Sequence, residues 1–193
     1  PEGDQLECFT ALTAIAASTK TIHIVPAVAA ASFRNPALLT KIMCTLDIVS
    51  KGRFICGLGA GWQDKEYLNH GYVFPPLKER LEQLQETLQI LKVMCSQASP
   101  SFSGKHFKIQ EAYNNPRPVQ ARLPVMLGGS GTGLLRIAAR EADIINIIPP
   151  TGNGRDFVND KEATLRFTMA KLERARLARV IALHRTYRKQ RTR

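Results

Sequence analysis

Three stretches of small residues offer bare backbone to a ligand. They are Pro26-Ala27-Val28-Ala29-Ala30-Ala31, Gly57-Leu58-Gly59-Ala60-Gly61 and Gly128-Gly129-Ser130-Gly131-Thr132-Gly133. Each lies at the end of a short apolar run. Small side chains let a flat or bulky ligand approach the main chain. The third stretch leads straight into a helical pattern, so its free N–H groups and the positive end of the helix dipole suit a phosphate. Ser130 and Thr132 add hydroxyl donors. A single glycine-rich turn serves equally well as a plain turn. Three such ends in one chain favour a cofactor mouth. Gly57 to Gly61 is no GxGxxG, no suitable acid follows about 20 residues later, and the lysine of a P-loop is missing.

Other reactive side chains are sparse. Trp62, the only tryptophan, either walls a flat ring or packs inside. Asp64 and Glu66 read as helix-capping acids. Arg34 faces an anion or pairs with an acid. His70 reads as a surface or packing histidine rather than a base. No Ser-His-Asp or Cys-His order emerges, so the catalytic residues are not identified. Cys8, Cys44, Cys56 and Cys95 form no CxxC, and the four histidines are scattered, so no metal is assigned. Cys8, Cys44 and Cys56 read as small buried hydrophobes, as in a reducing compartment. A flat redox cofactor needs few protein groups, because it carries the chemistry itself.

The elements that must position these stretches alternate between strand and helix. A first helix starts at an Asp4 cap with Glu7 three residues on, a capping-box spacing. Lys20 to Ala29 reads as a buried strand. Asn35-Pro36 opens a helix lined by Leu39, Ile42, Met43, Leu46 and Val49, ended by Gly52. Arg53 to Gly57 is a second strand. After Pro75-Pro76, Leu81, Leu84, Leu88, Leu91 and Cys95 mark the clearest helix. Ser96 to Gly104 reads as a polar loop, Phe107 to Ile109 as a small strand, and Ala112 to Arg122 as an extended crossing segment. Leu123 to Leu127 is a third strand, Leu134 to Glu141 a helix, and Asp143 to Ile148 a fourth strand. The loop Pro149 to Arg155 and a helix over 161–179 follow. Strands alternating with helices make a parallel sheet covered by helices. An open doubly wound sheet and a (β/α)8 barrel both fit, and both bind ligands at the carboxyl ends of strands.

Composition narrows the class. The 193 residues are 44% hydrophobic and 22% charged, an ordinary globular balance. No apolar run approaches the roughly 20 residues of a membrane span. The net charge is +11. Residues 171–193 hold nine Lys and Arg against one acid, +8, while the remainder holds 18 against 15, +3. The basicity is therefore a tail. It reads as a solvated or foreign terminus rather than a nucleic-acid surface, because no aromatic platform accompanies it.

Several runs, taken in order and spacing, resemble the luciferase-like monooxygenase family. They are Phe33-Arg34-Asn35-Pro36-Ala37-Leu38-Leu39, Thr45 to Phe54, and Gly57 to Trp62 with Glu66. Arg80, Glu86, Phe102-Ser103-Gly104, Pro116 to Gln120, Gly128 to Gly131 and Arg140-Glu141-Ala142-Asp143 continue the match. The branch most resembled is that of the deazaflavin-dependent oxidoreductases. The resemblance implies a (β/α)8 TIM barrel binding FMN or the deazaflavin coenzyme F420 at its C-terminal mouth. It implies a non-proline cis peptide at Ala27 and Val28 supporting the ring. It further implies Gly59, Ala60, Gly61 and Trp62 along the cofactor, and Gly128, Gly129, Ser130 and Gly131 around its phosphate. The implied activity is monooxygenation with FMN, or hydride transfer with the deazaflavin, on a small organic substrate. A flavin or deazaflavin reductase partner, a homodimeric parent and a cytoplasmic location go with it, with no membrane and no nucleic acid.

A complete barrel needs about 250 residues. The expectation is therefore an incomplete barrel over 1–179, lacking the first two and the last strands, with 180–193 a disordered or non-native basic tail. The alternatives are a non-catalytic barrel fragment, a basic nucleic-acid-binding module, and an open nucleotide-binding sheet. The missing ribose-binding acid disfavours the last.

Overall fold

The structure is a computed structural model, and it describes residues 4–147 together with Ala170, Lys171 and Glu173. The loop at 149–155, most of the 161–179 helix and the 180–193 tail lie outside the described residues. Residues Pro1–Val125 form one compact unit and Met126–Arg193 a second.

In the first unit, α1 (Cys8–Ser18) is capped by Glu7, whose carboxylate accepts from the amides of Phe9 (3.2 Å) and Thr10 (2.7 Å). The capping acid is thus Glu7 itself, not Asp4. Three-residue spacing cannot tell an N-cap from the acid that follows it. The strand expected over 20–29 shrinks to β1 (Ala29–Ala30), preceded by a single parallel bridge from Ile24 to Phe54. Pro26 sits between them and has no amide to donate to a ladder. A 3-10 turn, Ala31–Phe33, follows β1.

Helix α2 (Pro36–Val49) has the anticipated cap. Asn35 Oδ1 accepts from the amides of Ala37 (2.9 Å) and Leu38 (3.3 Å), with proline at the first helical position. Lys51 (φ 56°) and Gly52 (φ 80°) turn the chain out of it. Strand β2 (Cys56–Gly59) starts and ends later than the expected Arg53 to Gly57. Gly57 and Gly59 are strand residues, not turn residues. Beta1 and β2 run parallel, with Ala29 opposite Leu58 and Ala30 opposite Gly59. A short helix α3 (Asp64–Asn69) follows with Gln63 as its N-cap, so Asp64 and Glu66, read as capping acids, lie within its first turn and do not cap it.

Helix α4 (Leu77–Ser96) buries Leu84, Leu88, Ile90, Leu91 and Met94, and packs on α2. Each fully buried side chain of this size contributes roughly 1.5–3 kcal/mol. Strands β3 (Phe102–Ser103) and β4 (Lys108–Ile109) form an antiparallel hairpin. The segment read as polar loop therefore contains β3. Residues 112–122, expected to be extended, form neither helix nor strand, bend at 116 and over 119–122, and include a cis Asn115–Pro116 bond.

Strand β5 (Val125–Gly128) crosses the boundary between the units, and in the second unit it pairs in parallel with β6 (Ile144–Asn146), Met126 opposite Ile144. Between them, α5 (Thr132–Glu141) buries Leu134, Leu135, Ile137 and Ala138. It starts two residues before the expected Leu134, so Thr132 and Gly133 are helical.

Candidate functional site

In the first unit, the parallel register sets the carboxyl ends of β1 and β2 side by side. Ala30 faces Gly59, and the chain leaves β2 through Ala60, Gly61 and Trp62. The Ala27–Val28 peptide is cis, as the resemblance implied. Ala27 is exposed and Val28 half-buried. Gly57 is required for a local reason, since an added Cβ would collide with the carbonyl oxygen of Pro26. Trp62 is 82% exposed, which removes the alternative of a packed indole. Its ring is free to cover a ligand at the strand ends.

The loop after β2 is held from below. Gly61 has φ 76°, and a Cβ there would meet the Tyr67 hydroxyl. Tyr67 is 1% exposed and its hydroxyl shares a 2.6 Å hydrogen bond with Ser32 Oγ. Burial pushes the Tyr67 hydroxyl above its ordinary range. Its ring packs among Phe33 (4.4 Å), Phe74 (4.9 Å) and Tyr72 (6.4 Å between centroids). Arg80, buried at the start of α4, donates to the carbonyls of Gly61, Ala60 (3.4 Å) and Pro75 (2.9 Å). Its guanidinium lies 4.1 Å from the Phe74 ring centroid. These contacts fix the path of Ala60 and Gly61 without closing off their outer side. Tyr67 and Ser32 carry no motif signal. Arg80 was part of the resemblance, but two of its carbonyl partners, Ala60 and Gly61, lie far back in the chain and no spacing rule points to them.

In the second unit, Gly128 is buried at the end of β5 and Gly129 turns the chain at φ 141°. The Gly129 amide donates to Asn146 O (2.9 Å), and a Cβ at Gly129 would press on Leu134. Ser130 is half-buried. Gly131 caps α5 with no side-chain hydrogen bond, and among the described residues nothing lies within 4 Å of where its Cβ would be. The first turn of α5 therefore has no side-chain acceptor from its cap, and the way to its amides is open. This is the donor set and the room that a phosphate needs.

The remaining charged residues of the motifs are structural. Arg53 donates to the carbonyls of Ala16 (2.8 Å), Thr19 (2.9 Å), Ile22 (2.6 Å) and Ser50 (2.7 Å), closing the end of α1. Glu86 accepts from the amides of Lys105 (2.7 Å), His106 (3.0 Å) and Phe107 (2.9 Å). Burial opposes its ionisation, but these three amides and the nearby His106 outweigh it and hold the carboxyl below its usual range. Gly104 is glycine because a Cβ would strike that carboxylate. Arg34 pairs with Glu7 and lies 4.7 Å from the Phe9 centroid, the acid-pairing alternative. His70 is exposed, its ring nitrogen 2.8 Å from Glu66 O. Cys44 and Cys56 are buried as expected, whereas Cys8 is only half-buried. Among the described residues no cluster of His, Cys, Asp and Glu could hold a metal, and no helix is long and apolar enough to cross a membrane.

Comparison with known proteins gives these features a context. A family model described as luciferase-like monooxygenase matches residues 1–192. The chain is 29% identical over 151 residues to an F420-dependent glucose-6-phosphate dehydrogenase of Amycolatopsis mediterranei, covering 78% of this chain and 44% of that protein. It is 33% identical over 141 residues to the pyrimidine monooxygenase RutA of Acinetobacter baylyi, covering 72% and 37%. Among solved structures, the monooxygenase RslO1 from Streptomyces bottropensis superposes with a TM-score of 0.74 at 19% identity, over 91% of this chain and 50% of that one. The chain thus spans about half the length, or less, of the proteins it matches. The fold is the luciferase-like (β/α)8 barrel, present here in part.

Proposed function

The chain belongs to the luciferase-like monooxygenase family, and from that premise we propose that it forms the cofactor-binding part of a flavin- or deazaflavin-dependent oxidoreductase acting on a small organic molecule. The observation that carries this reading is the side-by-side end of β1 and β2, where Ala30 stands opposite Gly59 and the chain runs on through half-buried Ala60 and Gly61 to an exposed indole. Side chains larger than these would fill the space a flat ring needs.

The residues present fit such a group. In the first unit, Ala27, Val28, Gly59, Ala60, Gly61 and Trp62 would lie along the ring. Arg80 and Tyr67 would hold their backbone in place. In the second unit, Gly128, Gly129, Ser130 and Gly131 would take the phosphate on the α5 amides. When bound, the cofactor supplies hydride transfer, and in its FMN form oxygen activation as well. The protein's part is to bind, orient and keep water from the ring's face, the last a task for Trp62.

The F420-dependent relative supports the deazaflavin option and the monooxygenase relative supports the FMN option. A reductase partner, a homodimeric assembly and a cytoplasmic location go with the same reading.

The test is a fluorescence titration with coenzyme F420 and with FMN in parallel. Trp62 is the only tryptophan, so its emission reports from the site itself. Saturable quenching at micromolar cofactor by one of the two is the expected result. Quenching by neither cofactor overturns the reading.

A further inference from the structure

The cysteines take no part in the site described above, yet two of them meet. Cys44 lies in the middle of α2 and Cys95 in the last turn of α4, 51 residues later in the chain, with their Sγ atoms 3.6 Å apart. Cys44 is 1% exposed, while Cys95 is half-buried. We propose that Cys44 and Cys95 form a dithiol that a hydroperoxide converts to a disulfide, stapling α2 to α4.

Three observations support this assignment. The sulfurs need to close by only roughly 1.5 Å to reach disulfide bonding distance, near 2.05 Å. The two helices that carry them already pack on each other.

Secondly, the surroundings of Cys44 are polar on one side. Asn114 Nδ2 donates to Cys44 Sγ (3.4 Å) and to Met94 O (2.9 Å), while the buried Asn114 Oδ1 has no partner among the described residues. An amide aimed at a buried sulfur favours its thiolate form.

Thirdly, the two thiols differ. The hydrogen bond with Cys95, helped by Asn114 and Lys41, outweighs burial and brings the Cys44 thiol down to about 7. The same bond, with burial, pushes Cys95 up. Cys44 is therefore the attacking sulfur and Cys95 the resolving one. Cys56 is a poor competitor, because its sulfur is bonded to Met43 Sδ (3.3 Å) and burial raises its thiol.

The chemistry balances with a hydroperoxide as the oxidant. The Cys44 thiolate attacks one peroxide oxygen, the O–O bond breaks, and the departing oxygen takes a proton. Cys44 becomes a sulfenic acid. Cys95 Sγ then attacks Cys44 Sγ, the S–O bond breaks, and the hydroxyl leaves as water with the Cys95 thiol proton. Two thiols lose two electrons, and hydrogen peroxide gains them and becomes two waters.

The experiment treats the full chain with hydrogen peroxide and reads intact mass and peptide linkage. The expected product has lost two hydrogens, carries one Cys44–Cys95 cross-link, and returns to the dithiol with dithiothreitol. Oxidised protein should melt higher than reduced. Cys95→Ser should leave a sulfenic acid on Cys44 that dimedone traps. The wild-type linkage decides the matter even where that variant folds poorly. Cross-links through Cys8 or Cys56, or both Cys44 and Cys95 still open to alkylation after oxidation, overturn the proposal.

Discussion

Asp47 and Gln120, 73 residues apart in the chain, clasp each other inside the first unit. Asp47 Oδ2 accepts from the Gln120 amide (3.1 Å) and Oδ1 from Gln120 Nε2 (2.7 Å). Nε2 also donates to the Phe54 carbonyl (2.8 Å), two residues before β2. Asp47 is fully buried. The clasp ties the inner face of α2, the approach to β2 and the crossing segment into one polar node. Gln120→Ala leaves Asp47 Oδ1 and Phe54 O without this donor. It should lower stability by about 2–4 kcal/mol, because an unsatisfied buried acceptor costs more than an average hydrogen bond contributes. Urea unfolding with an unchanged slope and a lower midpoint is the expected record.

A second prediction concerns Gly57. The Pro26 carbonyl occupies the place of its missing Cβ, and Val25 Cγ2 is 3.1 Å from the same point. Backbone cannot swing aside as a side chain can. Gly57→Ala should therefore cost at least the roughly 1–3 kcal/mol typical of overpacking. Gly131→Ala, at a position open to solvent, should cost less. Equal melting temperatures for the two variants would contradict this account of the strand contact.

Acid stability depends on Glu7. Burial opposes its ionisation, yet the Thr10 hydroxyl, the Thr10 and Phe9 amides and Arg34 together bring its carboxyl down from 4.5 to about 2. The folded value lies below the unfolded one, so the protein gains stability from Glu7 wherever pH exceeds the unfolded value. That gain is lost as pH falls through the window from 4.5 to about 2. Melting temperature should drop across this window in the wild type. In Glu7→Gln it should start lower and drop less. The carboxyl is half exposed, so the effect should shrink as salt is added.

Much of this architecture could be read from local pattern, and the exceptions share a cause. Helices α2, α4 and α5 carry apolar residues three and four apart, and that stripe is the face they bury. The small-residue ends at Ala27–Ala31, Gly57–Gly61 and Gly128–Gly133 were visible from composition alone. Beta1 was overextended, because β-branched residues promise a ladder while Pro26 withholds an amide. Helix α3 was signalled only by its acids, because its six residues are too few to show a period. The tasks of Arg53, Arg80, Glu86 and Gln120 were hidden for another reason. Each reaches at least one group far along the chain, and such partners leave no periodic trace. Tyr67 under Gly61 belongs to the same class.

The last prediction separates folding from binding at one residue. Gly131 caps α5 with φ −70° and ψ 141°, a conformation any residue adopts, and among the described residues the space around it is open. Aspartate is a better cap than glycine and places a negative charge at the positive end of the helix. Gly131→Asp should therefore raise stability, by about 0.3–1 kcal/mol. The same carboxylate would occupy the amides proposed to receive the cofactor phosphate and would repel it. Cofactor affinity should fall about tenfold or more, the equivalent of 1.4 kcal/mol. A purely structural glycine turn forecasts only the first effect. Thermal melts and the Trp62 titration on the same variant measure both. A variant that melts higher and binds undiminished removes the phosphate role from Gly131 and leaves its capping role intact.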